Sequence, residues 1–276
     1  MKKYSEIFTC FIFALSTFQQ LYSQRPAIPK SKNAFVVIAH RGNHTNAPEN
    51  TITAYQNAID AGADYVEIDL RTSKDSQLVI MHDGNVNRMT NRTGKVNDME
   101  WSELRVLKVA DKNHADWKPE SIPLFSDVLN LCKDKINIYL DFKDADVKTA
   151  YDQIIKAGMQ QSVIVYINAE HQFYEWRKIA PGMPLMVSLP DSIRSAKQVT
   201  DFLLQYHISI LDGAFNEYSK EMIDAAIASG VAVWPDIQSN SEAPELWDKA
   251  LQLGFTGLQT DHPEILIAYL KTKKIR

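Results

Sequence analysis

Four stretches of the chain end in side chains that can move protons, grip an anion or hold a cation. In the first, Val36-Val37-Ile38-Ala39 runs straight into His40-Arg41-Gly42. His40 can exchange a proton near neutral pH, and Arg41 offers a planar fork suited to phosphate oxygens. Gly42 lets the backbone turn sharply, because it has no Cβ. In the second, Glu67 and Asp69 sit at i and i+2 within Tyr65-Val66-Glu67-Ile68-Asp69-Leu70. On a strand the two carboxylates face one side, roughly 6.6 Å apart along the backbone, and Val66, Ile68 and Leu70 face the other. The third stretch ends in His82-Asp83, and the fourth sets Asp141 and Lys143 at i and i+2. Inward-facing carboxylates are costly unless neutralised. A divalent cation would neutralise them, and all-oxygen ligands favour Mg²⁺, Ca²⁺ or Mn²⁺ over zinc. Each pair alone also fits an ordinary ion pair or a solvated strand face; four together do not.

These groups need a scaffold that brings strand ends to one place. Strand patterns cover 35–39, 64–70, 77–82, 136–142, 163–167, 185–189, 208–211, 231–234 and 257–260. Apolar residues recur at helical spacing from Ile52 to Ile59, from Ser126 to Cys132, and at about 147–157, 171–179, 193–205, 219–229 and 243–252. A last helix starts near Pro263. The alternation implies a parallel sheet with helices outside, and a (β/α)₈ TIM barrel fits the length. Such a barrel has eight places, so one strand candidate is spurious or belongs to a side hairpin. No Gly-rich loop follows the first strand, which argues against an open dinucleotide-binding sheet. The polar, turn-rich run from Asn85 to Lys118 reads as a small insertion after the third strand.

A hydrophobic content of 45% is ample for a sizeable core, and a net charge of −4 gives no electrostatic footprint for nucleic acid. Residues 1–23 have the layout of a secretory signal peptide: Lys2 and Lys3, an apolar run from Ile7 to Phe18, then small Ser23. That run is shorter than the ~20 residues a membrane span needs, so no stable anchor is expected after cleavage. The expectation is a bacterial protein exported to the periplasm or secreted, with a linker at 24–33 and one domain over 34–276. Cys10 would leave with the signal, and Cys132 alone makes no intramolecular disulfide. Oligomeric state is not legible.

The chain resembles the glycerophosphodiester phosphodiesterase family. The family signature corresponds to His40-Arg41-Gly42, Pro48-Glu49-Asn50-Thr51, Gly62 to Arg71, Lys74-Asp75 and His82-Asp83. Further likeness lies in Arg88-Met89-Thr90, Gly94, Ile122-Pro123 and Thr260-Asp261-His262-Pro263. The resemblance implies a (β/α)₈ barrel with catalytic His40 and His82, a phosphate-binding Arg41, and one divalent cation held by Glu67, Asp69 and Asp141. Where the family mostly has Glu-x-Lys, this chain has Asp141-Phe142-Lys143, and its Trp-Thr-Val-Asn becomes Trp234-Pro235-Asp236-Ile237.

On this basis His40 acts as base and His82 as acid, Arg41 and Lys143 offset phosphoryl charge, and Trp234 walls the pocket. The substrate is a small glycerophosphodiester, cleaved to sn-glycerol 3-phosphate and an alcohol. Tyr166 and Phe215 are further wall candidates, and His44 lies in a loop that could touch substrate. The rivals are a lysophospholipase D or cyclising phospholipase using the same site on a lipid, and a silent phosphodiester- or carbohydrate-binding envelope protein.

Overall fold

The computed structural model describes residues 25–110, 114, 116–239 and 242–276. The expected signal peptide, its cut after Ser23 and Cys10 lie outside the described residues. Among those described, no helix is long and apolar enough to cross a membrane.

The strands are β1 (Val36–Ala39), β2 (Tyr65–Thr72), β3 (Leu78–Ile80), β4 (Lys108–Val109), β5 (Glu120–Ser121), β6 (Asn137–Phe142), β7 (Val163–Ile167), β8 (Leu185–Ser188), β9 (Ile210–Asp212), β10 (Ala232–Val233) and β11 (Gly257–Thr260). The helices are α1 (Ile52–Ala61), α2 (Trp101–Leu104), α3 (Phe125–Cys132), α4 (Val147–Ala157), α5 (Glu170–Ile179), α6 (Ala196–Tyr206), α7 (Lys220–Ala228), α8 (Pro244–Leu253) and α9 (Pro263–Thr272).

Parallel pairing runs β10-β9-β8-β7-β6-β2-β1-β11, the eight staves of a barrel. The seam between β10 and β11 is closed by Asp236, which bridges in parallel to Ala214 on one side and Gln259 on the other. The ninth strand candidate is the side hairpin: β3 runs antiparallel to the far end of β2, with Leu70 opposite Ile80 and Thr72 opposite Leu78. The strand carrying Asp141 is therefore the third stave, not the fourth. The insertion follows β3 and builds a small core of its own from Val86, Met89, Val96, Leu104, Leu107 and Ile122.

Strand alternation sorts the barrel into shells. Val66, Ile68, Leu70, Ile138, Leu140 and Phe142 point outward onto the helices. Val36, Ile38, Tyr65, Tyr139, Ile164, Met186, Ile210 and Trp234 fill the inside. The carboxylates of β2 and β6 share the inward parity of Tyr65 and Tyr139, one layer nearer the strand ends.

The stretch expected as a linker is instead docked across the opposite end of the barrel. Arg25 donates to the carbonyls of Ser229 (2.7 Å) and Leu203 (2.9 Å). The Ser209 hydroxyl donates to Pro26 O (2.7 Å), and the Tyr65 hydroxyl to Pro29 O (2.6 Å). This strap satisfies polar groups that the barrel floor would otherwise bury unpaired.

Gly257 lets β11 approach β1 and the indole inside. A Cβ there would lie 2.8 Å from Trp234 Cδ1 and 2.8 Å from Val36 Cβ. Gly257→Ala should overpack the interior and lower stability by about 1–3 kcal/mol in urea denaturation. A variant as stable as wild type would contradict this packing.

Candidate active site

The first stave delivers two of the groups by a strained turn. The His40 N–H donates to Thr260 O (3.1 Å), holding the β1 end against β11. Arg41 and Gly42 then both take positive φ, +53° and +85°. A Cβ on Gly42 would sit 2.7 Å from the Ala54 carbonyl carbon, so α1 can pack against this turn only if the residue is glycine. The left-handed step at Arg41, costly for a side chain, directs its N–H to Glu67 Oε2 at 2.7 Å.

Next along the barrel, β2 and β6 pair with Asp69 opposite Asp141 and Glu67 opposite Tyr139. Carboxylate oxygens of Glu67, Asp69 and Asp141 lie within 4.8 Å of one another. Glu67 and Asp69 are buried, at 3% and 1% exposed. Lys143 Nζ stands 3.1 Å from Asp69 Oδ1 and 2.5 Å from Asp141 Oδ2, and Arg41 Nε 3.7 Å from Asp69 Oδ2. Asn50, also at positive φ (+58°), donates to Asp69 Oδ2 at 2.7 Å and accepts from the Tyr55 hydroxyl at 2.7 Å. Asn168 donates to Asp141 Oδ1 at 2.6 Å.

The balance of charge is nevertheless short of cations. Burial, then the Asp69 and Asp141 charges, push the Glu67 carboxyl well above its usual range. Asp141 is raised for the same reasons, burial and then Asp69. Burial also opposes ionisation of Asp69, but Lys143, His82 and Arg41 overcome it and hold that carboxyl low. Asp69 Oδ1 has no hydrogen bond, because Lys143 lies within ion-pair distance but out of alignment. Converging oxygen donors, an orphaned buried carboxylate oxygen and surplus negative charge fit a hard divalent cation.

The two histidines are each tethered through Nδ1. His40 Nδ1 is 2.7 Å from Asp261 Oδ1, and His82 Nδ1 is 2.8 Å from Asp83 Oδ1. A carboxylate can only accept, so each Nδ1 carries the proton and each Nε2 is left for chemistry. The long β2 carries the hairpin past the barrel rim, and β3 returns His82 to the mouth. Arg71 fixes that return by donating to the His82 carbonyl from Nε (3.0 Å) and Nη2 (2.6 Å). Arg88 grips Asp83 through Nε (2.9 Å) and Nη2 (3.1 Å) and Glu49 through Nη1 (2.9 Å) and the same Nη2 (2.7 Å). Hydrogen bonds from Arg88 hold the Asp83 carboxyl down at about 2. Glu49 in turn accepts from Arg41 Nη1 at 2.9 Å. One chain of charges thus links both halves of the mouth.

His40, Arg41, Glu67, Asp69, His82, Asp141 and Lys143 all line one cavity of about 290 Å³. Trp234 does not. It lies inside the barrel beneath the cavity, against Tyr65 at 5.1 Å between ring centroids, with its indole N–H donating to Thr256 Oγ1 at 3.1 Å. Inward parity, right for a wall, also fits the packed interior, and the depth along the strand decides between them. Tyr166 is in the cavity wall, Phe215 packs on Phe255 outside it, and His44 Nε2 reaches Asp261 Oδ1 at 3.5 Å.

The structure adds Asn168, Asp212, Asp236 and Gln259 to the lining. Asp212 ends Ile210-Leu211-Asp212, much as Asp141 stands next to last in its own stave, a signal present in the sequence. Asp236 is screened by Pro235, which interrupts the strand pattern.

Residues 40–180 match the model of the glycerophosphoryl diester phosphodiesterase family. A glycerophosphodiester phosphodiesterase of Caldanaerobacter subterraneus is 30% identical over 244 residues, covering 84% of this chain and 96% of its own. The crystal structure of glycerophosphodiester phosphodiesterase from Agrobacterium tumefaciens superposes with a TM-score of 0.76 at 25% identity, covering 85% of this chain and 99% of that one. An Oleispira antarctica phosphodiesterase, solved in complex with the product sn-glycerol-3-phosphate, shares the fold at a TM-score of 0.73 and 19% identity, over 86% of this chain and 96% of that one.

Proposed function

The chain belongs to the glycerophosphoryl diester phosphodiesterase family, and from that premise we propose that it hydrolyses glycerophosphodiesters to sn-glycerol 3-phosphate and an alcohol. One observation carries the reading: two carboxylate-tethered histidines flank a carboxylate triad, an arginine and a lysine in a single cavity.

Glu67, Asp69 and Asp141 would hold the divalent cation, which when bound polarises the phosphoryl group and favours ionisation of a neighbouring hydroxyl. Arg41 and Lys143 bind non-bridging phosphate oxygens and offset the charge that grows on them. His40 Nε2 takes the proton of the glycerol hydroxyl next to the ester as that oxygen attacks phosphorus. The bond from phosphorus to the leaving alcohol breaks, and His82 Nε2 gives that oxygen a proton. Water then opens the cyclic glycerol phosphate: His82 takes its proton and His40 returns one to the ring oxygen. Asp83 is shared between His82 and Arg88, and Asp261 between His40 and His44, so each imidazole is held with its Nε2 turned to the reaction.

Residues 24–276 should release glycerol 3-phosphate from glycerophosphocholine or glycerophosphoethanolamine, lose the activity in EDTA and regain it with Mg²⁺, Ca²⁺ or Mn²⁺. No release with any of the three would overturn the reading. His82→Ala should lower kcat about 10²–10⁴-fold. Its pH–rate profile should keep the acid-side limb, where His40 must be unprotonated, and lose the alkaline-side limb set by the acid; loss of the acid-side limb instead would reverse the assignment, and two intact limbs would refute it. Export rests on residues 1–23 alone, and sequencing the protein made in a bacterial host tests it: a mature form starting at Gln24 supports export, and a retained Met1 refutes it.

A further inference from the structure

The cavity has two poles of different chemistry. Arg41, Lys143 and the carboxylate triad make one. Opposite them Asp212, at the end of β9, and Asp236, at the β10–β11 seam, face the same space together with Gln259. The proposed phosphodiester cleavage has no use for this second pole at the reacting phosphorus.

Its polar groups are incompletely satisfied. Asp212 is 3% exposed; its Oδ2 accepts from the Tyr139 hydroxyl at 2.6 Å, and its Oδ1 has no partner. Gln259 is 4% exposed; its amide nitrogen donates to Asp236 Oδ1, and its carbonyl Oε1 has no partner. Gln238 adds a second donor to Asp236 Oδ1 at 3.3 Å. Among the described residues, every side-chain bond to the two carboxylates comes from a neutral donor, and neither has a cation in ion-pair contact, His40 being the basic group that bears on Asp236 from farther off. Burial, reinforced at Asp212 by the Asp236 charge, raises both carboxyls. With two carboxylates and no cation paired to them, this wall is rich in acceptors: Asp212 Oδ1 and Gln259 Oε1 are unpartnered, and the Gln259 and Gln238 amides each turn an N–H onto Asp236 Oδ1.

A complementary group brings positive charge and N–H donors together. A primary ammonium does both. A polyol brings donors without charge, a quaternary ammonium brings charge without donors, and an alkyl group brings neither. Among the described residues no aromatic cage for a quaternary ammonium lines the cavity: its tyrosines are Tyr139 and Tyr166, whose hydroxyls are bound to Asp212 and to Ser188 (2.9 Å). The phosphate is claimed by the opposite pole, so the group that reaches this wall is carried on the ester.

We propose that Asp212, Asp236 and Gln259 form the leaving-group subsite and select an alcohol bearing a primary ammonium, so that the preferred substrates are glycerophosphodiesters of amino alcohols such as ethanolamine. The inference rests on the phosphodiesterase reading of the same cavity. Asp212 and Asp236 are specificity-determining residues in it.

The test compares kcat/KM for glycerophosphoethanolamine, glycerophosphocholine and glycerophosphoglycerol at a saturating divalent cation. The wild type should favour the ethanolamine ester over the glycerol ester by about tenfold or more, with the choline ester between them. Asp236→Asn and Asp212→Asn keep the side-chain shape and remove one charge each. Either should shrink the ethanolamine-to-glycerol ratio about tenfold, chiefly by raising KM for the ethanolamine ester. Equal wild-type values for the three esters, or a ratio unmoved in both folded variants, would overturn the subsite while leaving the phosphodiesterase reading intact. The wild-type comparison decides even if both variants misfold. Failure to cleave any of the three would refute the phosphodiesterase reading, and the subsite with it.

Discussion

Everything at the barrel mouth answers one constraint: three carboxylates converge where water is largely excluded. Ionised carboxylates lose far more solvation in such a place than one neighbour can return. The strained backbone at Arg41 and Asn50 makes sense in that light. Arg41 bends left-handed so that its own N–H reaches Glu67, and Asn50 does so with its amide on Asp69 and its carbonyl oxygen on Tyr55. Lys143, two residues beyond Asp141 on the same face, completes the protein's share. The three carboxylates still outnumber these two cations, so a cluster that would otherwise destabilise the fold is suited to hold a divalent metal.

The insertion matters for the same reason. Its small core holds Arg88 in place, and Arg88 shares Glu49 with Arg41 while bonding Asp83. A segment outside the barrel thereby fixes the His82 imidazole relative to the β1 turn. The β2–β3 hairpin, which looks like a surplus strand beside eight staves, is the arm that makes this possible.

The parts legible in sequence were those written locally. Parity along a strand put Glu67 with Asp69 and Asp141 with Lys143, and strand–helix alternation gave the barrel. The hairpin nature of 77–82 was half visible, since the short turn before Leu78 leaves no room for a crossover helix. Depth was not visible. Trp234 has inward parity, but only the stagger of neighbouring staves shows that its level belongs to the packed interior while Asp236, two residues on, belongs to the mouth. Partnerships across the chain were also hidden: nothing near His40 announces Asp261, 221 positions away. The strap at 25–33 read as a linker because its role lies in backbone carbonyls, which composition does not report.

Asp64 carries a consequence for the order of events in time. It is 7% exposed, just before β2 at the end of the barrel away from the mouth. Its carboxylate accepts from the Val37 N–H (2.9 Å), Ser31 (2.6 Å) and Asn33 (2.7 Å), and pairs with Arg276 at 2.5 Å, 212 residues later. Three of its partners are made before it, and the one cation paired with it among the described residues comes after every stave has been synthesised. During vectorial synthesis this carboxylate therefore stays without its counter-charge until the ring can close. The floor of the barrel thus gains its ion pair only once all eight staves are available to close the ring.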